Sequence, residues 1–126
     1  MTNRATLYPT IVHMLAETVG DFGDTPALIC EDRTLTYTEY LRCVAGLARR
    51  LQDYSNGKSL RDERVALICG NSLEMAIGLF AAHASGAQIV PVNPIYTKRE
   101  LTHILGDSEP IAVIYDTEIA DVVRPL

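Results

Sequence analysis

Arg64-Val-Ala-Leu-Ile-Cys69 runs through Gly70-Asn71 into Ser72-Leu-Glu-Met-Ala-Ile-Gly-Leu-Phe-Ala-Ala-His-Ala-Ser85. Gly86-Ala87 then leads to Gln88-Ile-Val-Pro-Val92. The outer segments are nearly continuous apolar runs of strand length, as in parallel strands covered on both faces. The middle segment, residues 72–85, is apolar almost all round: Leu73, Met75, Ala76, Ile77, Leu79, Phe80, Ala81 and Ala82. A helix of that kind is buried on more than one side. Gly86 allows the helix-to-strand turn, and Pro91 is expected near the end of its strand. Strand, helix and strand in this order form a parallel unit with a right-handed crossover.

Working outward, Ile111-Ala-Val-Ile-Tyr115 is a further apolar strand, and 98–107 is the helix before it. A last helix is expected over 117–123. Toward the N-terminus, Ala27–Glu31 and Thr34–Thr36 flank a tight turn at Asp32-Arg33, as in a small hairpin. Helices are expected over 37–53 and 10–19, the second with Ile11, Leu15 and Val19 on one face. The alternation predicts an α/β fold, with a layered, mostly parallel sheet and helices on both faces. Residues 1–126 read as a single domain.

Three helix starts share a capping signature. Thr36 precedes Glu39, Asn71 precedes Glu74, and Thr97 precedes Glu100 by three residues each. In such a box the first side chain accepts from the third amide, while the Glu reaches back to the cap amide.

With 48% hydrophobic and 21% charged residues, the chain of 126 residues has ample material for a core. A net charge of −5 argues against a nucleic-acid-backbone binder. Cys30, Cys43 and Cys69 are an odd count without a C-x-x-C pair, so buried reduced thiols are expected rather than zinc or disulfides. That fits a reducing, cytoplasmic compartment. No apolar run reaches the roughly 20 residues of a membrane span, and Met1–Thr6 lacks the apolar stretch of a signal peptide.

Chemistry is harder to find. There is no Walker loop; Asn56-Gly57-Lys58-Ser59 lacks the upstream glycine and the strand such a loop needs. The amides of Gly70-Asn71-Ser72 open a helix after a strand, where an anion can bind, although a simple capped turn explains them as well. His13, His83 and His103 are far apart in sequence. No catalytic or metal-ligating residue is identified.

Two stretches carry a resemblance. Leu35-Thr36-Tyr37-Thr38-Glu39-Tyr40 resembles the first core motif of adenylate-forming enzymes, with Tyr40 in place of the usual Leu. Ser85-Gly86-Ala87-Gln88-Ile89-Val90-Pro91-Val92-Asn93-Pro94 resembles their second. The continuation, Asn93-Pro94-Ile95-Tyr96-Thr97-Lys98-Arg99-Glu100-Leu101 with Asp107-Ser108, is similar to the acyl-CoA synthetase branch, fatty-acid–CoA ligases in particular. The resemblance implies the N-terminal part of the large domain of such an enzyme. The full-length protein would use ATP, Mg and coenzyme A on a fatty acid or other carboxylic acid. The phosphate loop and the C-terminal lysine of that family have no counterpart here, so no cofactor is expected on this chain and no turnover from it alone. Thr36, Tyr37, Glu39, Gly86, Pro91, Asn93, Pro94 and Glu100 are then structural motif residues. Lys98 and Arg99 are candidates for coenzyme A phosphates; some relatives carry a basic residue just after the Asn-Pro pair, where Ile95 stands here.

Three alternatives stay open: an aryl-acid ligase, a luciferase-like enzyme or a peptide-synthetase module of the same superfamily. A non-catalytic α/β interaction module is the reading from another class. The expected partner is the remainder of a longer polypeptide. Without it, apolar surface and a bare sheet edge should drive the chain to a homo-oligomer.

Overall fold

The computed structural model describes residues 8–126. Helix α1 (Ile11–Phe22) starts at Thr10, whose hydroxyl accepts from the His13 amide, and runs three residues beyond the expected end at Val19. Strands β1 (Pro26–Cys30) and β2 (Arg33–Thr36) pair antiparallel as a separate two-stranded sheet. Helix α2 (Tyr37–Tyr54) leads to β3 (Arg64–Ile68), α3 (Leu73–Ala84), β4 (Gln88–Val92), α4 (Lys98–Ser108) and β5 (Ala112–Tyr115). The expected last helix is a 3-10 turn (Thr117–Ile119) running into a short α5 (Ala120–Val123).

The second sheet is parallel throughout, in the order β4-β3-β5. Its central strand is the most apolar and the most buried: Val65, Ala66, Leu67 and Ile68 are all at or below 2% exposure. Alternation along the strands divides the core. Val65, Ile89, Ala112 and Ile114 pack with Leu51 of α2 and Ala82 of α3 on one face. Ile68, Val90, Val92, Val113 and Tyr115 pack with Leu101 of α4 and Val123 of α5 on the other. Helices therefore cover both faces, as the continuously apolar strands require. A third cluster, Leu15, Tyr40 and Val44 with Ala76, Ile77 and Phe80, joins α1, α2 and the hairpin to α3.

Glycine decides two local geometries. A Cβ on Gly78 would meet Leu67 Cδ1 at 2.8 Å, so α3 lies closer to the sheet than any side chain there permits. Gly86 has a φ of +93°, the conformation that lets α3 end and turn directly into β4.

Two expectations are corrected. The N-cap of α3 is Ser72, which accepts from the Met75 amide, not Asn71. The carboxylate of Glu74 is drawn instead to Arg33, 2.6 Å away on β2. The thiols are not uniformly buried either: Cys43 is exposed, and Cys30 and Cys69 are partly buried. Helical periodicity turns Tyr40, Val44, Ala48 and Leu51 inward and leaves Cys43 outside.

Candidate functional site

The first motif builds a helix start. Glu39 N donates to Thr36 Oγ1 at 3.1 Å and Thr36 N donates to Glu39 Oε1 at 2.9 Å. These bonds from Thr36, that of its backbone foremost, hold the Glu39 carboxyl below the usual carboxylate range. Tyr37 packs against the Leu15–Tyr40–Val44 cluster.

The second motif builds another. Val92 ends β4 buried. Asn93 Oδ1 then accepts from Ile95 N at 3.0 Å, closing a side-chain turn around Pro94. Thr97 Oγ1 accepts from Glu100 N at 3.3 Å, and Glu100 Oε2 accepts from Thr97 N at 2.7 Å. The box fixes the first turn of α4, and Leu101 anchors it from beneath at 1% exposure. Lys98 and Arg99 occupy the first two helical positions, both exposed. The sole ion pair among the described residues is Arg33–Glu74, so no carboxylate neutralises either cation. Arg99 borders a shallow hollow of about 560 Å³ with Tyr96, Thr97, Glu100, His103 and Ile104. The structure thus brings Asn93, Pro94, Lys98, Arg99 and Glu100 to one corner. No hydrogen bond or ion pair among the described residues links them to Thr36, Tyr37 or Glu39. Gly86 and Pro91 lie at the start and near the end of β4 and shape the strand rather than a binding surface.

A larger crevice of about 680 Å³ opens at the carboxyl ends of β3 and β5. Open α/β sheets bind ligands at such ends, where neighbouring connections leave toward opposite faces. Here the Gly70 amide, one of the anion candidates, already donates to Asp116 Oδ2 at 2.8 Å. The turn is closed by its own carboxylate, which settles it as a structural link between β3 and β5. Cys69 lies beneath it; burial chiefly, with Asp116 adding to it, pushes this thiol up to about 12. It is held as the unreactive thiol. Asp116 was not among the sequence candidates. Its signal was positional: an acid immediately after a buried strand.

No group of three or more His, Cys, Asp or Glu among the described residues is arranged to hold a metal ion. Nor is any helix among them long and apolar enough to cross a membrane. Mg therefore has no set of protein ligands on these residues. The anionic phosphates of coenzyme A fit one place, the exposed cations opening α4.

A doubly wound parallel sheet with two capped-helix motifs defines the class: an α/β scaffold of the kind that seats ligands at loops and helix starts. The chain belongs to the AMP-binding enzyme family, whose model matches residues 15–125. It is 32% identical over 117 residues to a long-chain-fatty-acid–CoA ligase of Escherichia coli, covering 93% of this chain and 20% of the relative. This chain thus spans about a fifth of the length of that relative. Among solved structures, a Mycobacterium tuberculosis fatty acyl CoA synthetase matches 91% of this chain and 23% of its own, at a TM-score of 0.82 and 27% identity. The N-terminal subdomain of Klebsiella oxytoca NpsA matches 85% of this chain and 27% of its own, at 0.74 and 29%.

Proposed function

We propose that residues 1–126 are the N-terminal part of an ATP-dependent fatty-acid–CoA ligase. The whole enzyme joins a fatty acid to coenzyme A while converting ATP to AMP and pyrophosphate. One observation carries this reading: the Asn93–Leu101 run folds as a turn and a doubly hydrogen-bonded helix start, within a chain similar along nearly its whole length to such a ligase. In this reading the part is a scaffold. ATP and Mg are held by the remainder of the polypeptide, and this chain alone is inactive. Lys98 and Arg99 meet phosphates of coenzyme A, because two unpaired cations there are poorly suited to the helix dipole and need an anion.

Pyrophosphate release with ATP, Mg and a panel of acids tests the reading on the protein of the longer reading frame. Fatty acids should be the substrates, and the 126-residue chain should release none. Release by the short chain would overturn its scaffold role. Lys98→Ala with Arg99→Ala should raise the KM for coenzyme A about tenfold, the worth of a charge-assisted contact, and leave adenylation unchanged. An unchanged KM would remove both residues from the site. The NpsA likeness supports a second reading, since that protein was solved with anthranilyl-AMSN. Preference for aryl acids in the same panel would select it.

A further inference from the structure

The parallel sheet has two open edges among the described residues, and they are not alike. On β4, Gln88 N donates to Glu63 C=O at 2.8 Å. Alternation along the strand then turns the polar groups of Ile89 and Pro91 outward. Proline has no N–H, so this edge lacks a donor where a further strand would need one. The β5 edge, Ala112-Val-Ile-Tyr115, has neither proline nor charge.

Apolar surface also borders β5 on both faces. Leu51 and Tyr54, the latter 68% exposed, leave a hollow of about 310 Å³ along it on the α2 side. Leu105, Val123 and Leu126, the last 43% exposed, leave one of about 370 Å³ on the α4 side. Half-filled space on both faces of one strand is what a missing neighbour leaves.

The crossovers say which neighbour. Helix α3 carries the chain from β3 to β4 over one face. Helix α4 carries it back past β3 to β5 over the other. Opposite directions on opposite faces have the same hand, as such connections do in about 98% of cases. The segment after β5 packs on the α4 face, through Val123. A third crossover of the same hand on that face must move in the same direction as α4, away from β3. Its strand lands on the open edge of β5.

We infer that the β5 edge is the docking site for a parallel strand supplied by the polypeptide that follows Leu126 in a longer chain, extending the sheet to β4-β3-β5-new. This rests on the reading of residues 1–126 as part of a longer ligase. Hydrogen–deuterium exchange of the 111–116 peptide, in the 126-residue chain and in the protein of the longer reading frame, tests it. The β5 amides that do not face β3 should exchange at least about tenfold more slowly in the longer protein, while the 88–92 peptide changes little. Equal exchange in the two proteins, with ligase activity present in the longer one, overturns this inference alone. Protection that arises in the short chain and grows with its concentration gives the edge to a second copy and also overturns it. A reading frame that stops at Leu126 overturns both readings.

Discussion

Helices α3 and α4 are nearly equal in length, twelve and eleven residues, and are held in place by opposite means. Helix α3 buries Leu73, Gly78, Ala81 and Ala82 and touches α1, α2, β1, β3 and β4. Its start is half a box, with Ser72 capping and Glu74 engaged elsewhere. Helix α4 buries one residue, Leu101, but starts with both halves of its box made. The first helix is placed by its surroundings, the second by its own first turn and a single anchor. A binding corner needs the second kind, because its exposed side cannot also be packed.

The largest test removes the anchor. Leu101→Ala should cost about 2–5 kcal/mol, the range for emptying a fully buried leucine site, measured by chemical denaturation. A loss below about 1 kcal/mol would mean the box alone suffices. Next, Gly78→Val should cost about 1–3 kcal/mol by forcing α3 off Leu67. A neutral result would show that α3 is less tightly seated than its contacts indicate. The smallest effect is at the cap: Thr97→Ala should cost about 1 kcal/mol and loosen the start of α4, read as faster amide exchange at Lys98–Glu100. If Ser72→Ala accelerated exchange in the first turn of α3 equally, the contrast between the helices would fail.

That contrast also explains what could be read from sequence. The start of α4 was legible to the residue, because Thr97 and Glu100 are three apart and act on each other. So was the start of α2 at Thr36. The start of α3 was misplaced by one residue. Asn71 and Ser72 are both good caps, and the choice turned on Arg33, a partner 41 residues away in sequence. The parallel strands were legible because burial on both faces leaves continuous apolar runs. Cys43 was misread from its apolar neighbours, although the period of α2 puts it outside. The link from Asp116 to Gly70 was not legible, since nothing local to either residue says that β3 and β5 are adjacent. The corner at Lys98 and Arg99 was found through the motif around it. Their exposure required the structure.

Tyr40 stands where related motifs carry leucine, and the substitution gives the protein an optical label. The chain has six tyrosines and no tryptophan. Tyr40 is 5% exposed; its hydroxyl donates to the Ala76 carbonyl of α3 at 2.8 Å, and its ring meets Phe80 edge-on at 5.6 Å. Burial pushes its phenol from the ordinary 10 up to about 12. A raised phenol favours the folded state fully below pH 10, and that advantage drains away as pH climbs toward 12. The joint between α2 and α3 therefore carries an alkaline fuse with its own colour change: tyrosinate absorbance from Tyr40 signals that the two helices have parted.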